Sequence, residues 1–121
     1  MRVGVLTMDT RLKKLPDRFL TTITLAKERI IEFPVPGLVD IWVFGSCESG
    51  QVKSTSDVDL CLIVEEQITD RVLRSKIREC TDDLLVDVDL IFYAKEALSS
   101  NDIFTNNLVK NHISLMHGGG E

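Results

Sequence analysis

Two carboxylates set one residue apart at the head of an apolar run, Asp57-Val58-Asp59 before Leu60, Cys61, Leu62, Ile63 and Val64, constrain this chain more than any other feature. A run rich in β-branched and aliphatic residues reads as a buried strand. Alternate strand side chains share a face, so the two acids point the same way with Cα atoms roughly 6.6 Å apart. Asp is depleted in strands, and a half-buried carboxylate without a partner is costly; one Asp-x-Asp alone is common in solvated loops, and it takes a second acidic strand to suggest a shared cation. Leu38, Val39, Ile41, Trp42, Val43 and Phe44 predict an earlier strand that ends on Gly45-Ser46, ten residues before Asp57. Val86, Val88, Leu90, Ile91, Phe92 and Tyr93 predict a third, with Asp87 and Asp89 embedded in it. Three strands thus present a small-residue turn, a pair of acids, and a further acid from Asp87 or Asp89.

Helices fill the intervals. Between Thr10 and Phe33 the apolar residues Leu12, Leu15, Phe19, Ile23, Ala26 and Ile30 recur at steps of three and four, one buried stripe of a helix. Pro16 makes that helix begin or kink beside it, and Pro34-Val35-Pro36-Gly37 stops it. Cys47 to Gln51 predict one helical turn, and Lys53 to Ser56 a polar loop. Thr69 or Asp70 caps a second helix with the stripe Leu73, Ile77, Cys80 and Leu84; Arg71, Arg74, Lys76, Arg78 and Glu79 form its solvated face. Lys95 to Leu98 predict a short turn. Asn101 or Asp102 caps a last helix through Phe104, Leu108, Val109 and Leu115, with His112 inside it, His117 at its end, and Gly118 to Gly120 closing it. No repeat or linker marks a boundary, so residues 1–121 are expected to form a single α+β domain, a short mixed sheet flanked by helices.

Composition narrows the partners. The formal charge of −5 and pI near 5.0 disfavour broad binding to nucleic acid or anionic membrane, which needs a basic face. No apolar run reaches membrane-spanning length, and Met1 to Met8 lack a proper signal-peptide core. Cys47, Cys61 and Cys80 form no CxxC, and an odd count argues for reduced thiols in a cytoplasmic protein. Cys47 borders the Gly-Ser turn, but no histidine is near it in sequence, so packing outweighs nucleophilic chemistry. Trp42 and Tyr93 read as core residues, His112 and His117 as packing or surface residues.

Oxygen-rich sites built from two or three carboxylates suit Mg²⁺, which keeps waters and accepts substrate phosphate oxygens. Two such ions can serve an in-line displacement at phosphorus. A Gly-Ser turn supplies close backbone approach, free N–H groups and a hydroxyl donor for phosphates. Gly45-x-x-x-x-Gly50 after a strand superficially suggests a P-loop. Position 51 is Gln where that motif needs Lys, and Lys53-Ser54 comes two residues late.

Gly45-Ser46, ten residues, Asp57-Val58-Asp59-Leu60, then Val88-Asp89-Leu90 resembles the minimal nucleotidyltransferase family, small members of the DNA polymerase β-like superfamily. The resemblance spans nearly the whole chain. It implies transfer of a nucleoside monophosphate, AMP from ATP, to a hydroxyl with release of pyrophosphate. It also implies that Gly45 and Ser46 hold the triphosphate, that Asp57 and Asp59 coordinate two Mg²⁺ ions, and that a third acid, Asp89 in preference to Asp87, joins them and helps deprotonate the acceptor. Relatives of this type are paired with a helical HEPN-type protein as toxin and antitoxin, some of them adenylylating a tyrosine of that partner. The chain departs from the pattern at Ser49, where many relatives carry Arg, and Glu48 adds a negative charge nearby. That departure keeps a second function open, a weak or inactive antitoxin or scaffold that acts by binding its partner. A third, nucleotidylation of a small hydroxyl compound such as an aminoglycoside, needs a further substrate domain or a second subunit; a homo-oligomer stays open.

Overall fold

Pro16 decides where the first long helix begins. In the computed structural model, which describes residues 9–117, the first described element is a single turn, α1 (Thr10–Lys13), capped by Asp9, and the helix breaks before Pro16. Pro16 is the N-cap of α2 (Asp17–Glu32), where its missing N–H costs nothing. The expectations for Met1 to Met8 and Gly118 to Gly120 fall outside the described residues.

Phe19, Thr22, Ile23, Ala26 and Ile30 form the buried stripe of α2. Then come β1 (Leu38–Phe44), the single turn α3 (Ser46–Ser49), β2 (Val58–Val64), α4 (Arg71–Glu79), β3 (Val88–Ala94), a 3-10 turn (Lys95–Ser99), α5 (Ile103–Lys110) and β4 (Ile113–Ser114). Asp70 and Asp102 are the caps of α4 and α5; Asp70 accepts from the N–H groups of Val72 and Leu73, Asp102 from that of Thr105. Each satisfies donors that would otherwise be orphaned at a helix start.

The four strands lie in the order β3-β2-β1-β4, with β2 and β3 parallel and the other pairs antiparallel. This is the mixed α+β sheet expected. Its two faces are covered differently. One face, with Ile41, Val43, Leu60, Leu62, Leu90 and Phe92, packs into the main core with α2 and Ile77 of α4. On the other, Trp42, Phe44, Cys61, Ile63, Ile91 and Tyr93 gather around Leu108 of α5. The charged side of α4 is not wholly solvated: the guanidinium groups of Arg74 and Arg78 lie 5.6 and 5.0 Å from the centre of the Phe92 ring.

The last helix is shorter than its pattern predicts. It stops at Lys110, and Leu115, His112 and His117 lie beyond it. Leu108 and Leu115 are seven residues apart, which mimics two helical turns, yet tertiary contacts win. Fully buried Ile113 pairs with Val43, and the Ser114 hydroxyl donates to the carboxylate of Asp40 at 2.7 Å. His112 stacks on Trp42 with centroids 3.6 Å apart, and His117 Nε2 lies 2.8 Å from the Val39 carbonyl oxygen. His112 is a half-buried packing residue and His117 an exposed surface one, as expected. Trp42 is half-buried, its indole N–H donating to Asp40 at 2.8 Å.

Candidate functional site

A carboxylate, a glycine and a strand pairing define the site. Phe44 pairs with Asp59 across the antiparallel ladder, and Asp59 pairs with Asp89 across the parallel one. Paired residues share a face, so Phe44, Asp59 and Asp89 stand in a row on the α5 side of the sheet, on strands about 4.8 Å apart. Asp57 lies one residue before β2, at its head as expected, whereas Asp87 lies one before β3 and is not embedded in that strand as expected. The Asp87 carbonyl accepts from the Val58 N–H at 2.9 Å, where the parallel ladder begins. Two copies of Asp-Val-Asp-Leu, 57–60 and 87–90, therefore lie in register. That pairing puts Asp89, not Asp87, opposite Asp59.

Gly45 is where the turn meets the acids. Its φ of +73° belongs to the region that favours glycine, and a Cβ there would fall on Asp59 Oδ2. The backbone of the turn and the Asp59 carboxylate are thus in direct apposition. Ser46 starts α3, and Gly50 in the left-handed conformation ends it, its N–H donating to the Ser46 carbonyl at 2.9 Å. Asp57 and Asp89 are exposed and Asp59 is half-buried. Burial, then the charges of Asp89 and Asp57, push the Asp59 carboxyl up to about 6. These three acids repel one another, which a bound cation would reverse.

Does the donor set fit a metal? Among the described residues, no three acidic, His or Cys side chains close on a point that could hold an ion by themselves. Mg²⁺ held by one or two carboxylates together with substrate phosphates needs no such cage, and the exposed oxygens of Asp57 and Asp89 are hard ligands of the right kind. The carboxylate chemistry fits; the third ligand would come from what binds.

Cys47 is buried, its Sγ 4.0 Å from the Asp57 carbonyl oxygen, and burial pushes its thiol up to about 11. A thiol so rarely ionised at neutral pH is a packing residue. Tyr93 shares a hydrogen bond of 2.9 Å with the Thr105 hydroxyl, which binds the strand to α5. Glu48, whose charge leaves the turn less basic, meets the Arg11 guanidinium at 3.3 Å; Arg11 is also held by Asp9 at 2.9 Å. That cation reaches the turn from 37 residues away, which no local pattern could reveal. Beside Gly45 opens a cleft of about 650 Å³, walled by Phe44, Glu48 and Ser49 on one side and Phe104, Asn107 and Asn111 on the other. Phe104 belongs to the apolar pattern of the last helix, whereas Asn107 on α5 and Asn111 at its C-cap carry no such signal; their i, i+4 spacing is the one clue the sequence offers.

Comparison with known proteins gives the family and the fold. The nucleotidyltransferase domain family matches residues 26–111, from the middle of α2 to the end of α5. Among solved structures, a toxin-antitoxin crystal structure with AMP-PNP aligns at TM-score 0.55 and 23% identity, over 74% of this chain and 69% of that one. A candidate nucleotidyltransferase from Sulfolobus solfataricus aligns at TM-score 0.56 and 18% identity, over 88% of this chain and 86% of its own. The complex of tri-AMPylated Shewanella oneidensis HEPN toxin with MNT antitoxin aligns at TM-score 0.50 and 20% identity, over 78% and 71%. At these identities the structures share the fold. No curated protein matches the chain.

Proposed function

The chain belongs to the nucleotidyltransferase domain family, and from that premise we propose that it transfers AMP from ATP to a protein hydroxyl, as the antitoxin of a helical HEPN-type toxin. The observation that carries the site assignment is the apposition of Gly45 to Asp59, with Asp89 beside Asp59 in register. In this reading Asp57, Asp59 and Asp89 hold Mg²⁺, which supplies neutralisation of triphosphate charge when bound. Gly45, lacking a Cβ, lets the phosphate chain approach the backbone, and the Ser46 hydroxyl donates to it. Asp89, at the exposed edge of the row, takes the proton of the acceptor hydroxyl. The acceptor oxygen then bonds to the α-phosphorus as the bond to the pyrophosphate oxygen breaks, in line.

The family supports nucleotidyl transfer in general. AMP, ATP and a HEPN partner are extended from the neighbours: one structure carries AMP-PNP, and another pairs an MNT antitoxin with an AMPylated HEPN toxin. Among the described residues no helix is long and apolar enough to cross a membrane.

The test is transfer of label from α-labelled ATP to a co-purified helical partner in Mg²⁺. We expect transfer by the wild type and a loss of about 10²–10³-fold in Asp57→Ala/Asp59→Ala, the scale of removing a group that stabilises transition-state charge. Equal transfer by the double variant would overturn the assignment of the acids. A second reading, neutralisation by binding alone, is favoured by Ser49 where a cation is common in relatives; it is distinguished by a double variant that neutralises its partner as well as the wild type does.

A further inference from the structure

We propose that the cleft beside Gly45 is a nucleoside subsite, with a 6-amino base lying against Phe104 and its edge read by Asn107 and Asn111. The inference rests on the nucleotidyl-transfer reading and adds where the base goes and which residues read it. The cleft shares Gly45 with the acidic row and lies on the same face of the sheet, so a nucleotide whose phosphates sit at the turn must place its nucleoside in or beside it. At about 650 Å³ it has the size of small-ligand sites, which run to about 300–1,000 Å³.

Its walls suit a neutral aromatic body. Among the described residues no cation lines it, and its one charged lining residue, Glu48, is paired with Arg11 at 3.3 Å, so no free cation is left there for phosphate. Phe104 is fixed yet open: it meets Phe44 edge-on with centroids 6.0 Å apart and Tyr93 at 6.3 Å, while remaining 48% exposed. A large aromatic held at its edges and open at its surface is a stacking platform. Asn107 and Asn111, one turn apart, face the same cleft. Asn106 is engaged by Asn101 at 3.3 Å, whereas no side-chain bond occupies Asn107 or Asn111 among the described residues. A carboxamide offers a donor beside an acceptor. That pair matches the amino group and ring nitrogen of adenine, and mismatches guanine, which shows two acceptors along the same edge.

The experiment is calorimetric titration of Mg·ATP, Mg·GTP and Mg·tripolyphosphate into the wild type, Phe104→Ala, Phe104→Leu and Asn107→Leu/Asn111→Leu. We expect ATP affinity to fall on the order of ten-fold in Phe104→Ala, the scale of one base stack, and less in Phe104→Leu. The Asn variant should bring ATP and GTP to similar affinity, and tripolyphosphate should bind all four proteins alike. Unchanged ATP affinity in every variant of a protein that binds ATP overturns the subsite and leaves nucleotidyl transfer intact. So does unchanged ATP affinity with a raised KM for the protein acceptor, which would give the cleft to the acceptor. Absence of ATP and tripolyphosphate binding to the wild type would overturn the nucleotidyl-transfer reading itself.

Discussion

Asp40 and Asp59 lie at opposite ends of the β1-β2 ladder, both withdrawn from water, and their surroundings could hardly differ more. Asp40 is 7% exposed and accepts from the Ile41 N–H, the Trp42 indole, the Ser114 hydroxyl and the Met116 N–H. It joins β4 to β1 and fixes Trp42 in place. Asp59 has instead burial and two like charges acting on it, with no donor among the described residues to offset them. One carboxylate has its hydrogen bonds within the fold, and the other has none among the described residues. A buried charge with satisfied oxygens does structural work, whereas a strained cluster beside an open cleft marks a place for a ligand.

Removing each carboxylate breaks the comparison in opposite directions. Asp40→Ala strands several donors and detaches β4, and should lower unfolding stability in urea by about 2–4 kcal/mol, the range for breaking a buried polar network. Label transfer per folded molecule should be little changed. Asp59→Asn should do the reverse, lowering transfer by up to about 10²–10³-fold while raising the stability of the metal-free protein at pH 7 by roughly 1 kcal/mol, after allowance for solvent screening. The sign follows from a carboxyl at about 6 in the fold against an ordinary value near 3.8. The native state binds this proton more tightly, so the contribution of Asp59 to stability is fully present below about pH 4 and is lost as pH rises through about 6. The advantage of Asp59→Asn should therefore vanish on acidification through that window, and a pH-independent advantage would point to repacking instead.

The acidic end was largely legible in the sequence, and the Asp40 end was not. Apolar runs placed β1, β2 and β3, Pro16 placed the start of α2, and Asp70 and Asp102 were readable as caps because their chemistry is local. The choice of Asp89 over Asp87 needed a register, although the repeated Asp-Val-Asp-Leu carried a hint of it. β4 was hidden because the spacing of Leu108 and Leu115 imitates a helix, and what ends α5 is contact with Val43 and Asp40, about seventy positions earlier. The Arg11 pair with Glu48 and the cleft wall on α5 were hidden for the same reason: both form between segments distant in sequence.

The central claim is that the Asp57, Asp59 and Asp89 cluster is built to be completed by a divalent cation. Thermal unfolding of the wild type and of Asp59→Asn at pH 7 as Mg²⁺ is titrated in the presence of ATP tests it most directly. Mg²⁺ with ATP should raise the wild-type midpoint progressively, as any ligand of the native state does, and leave Asp59→Asn nearly unmoved. Equal shifts in the two proteins, or none in the wild type, would contradict it.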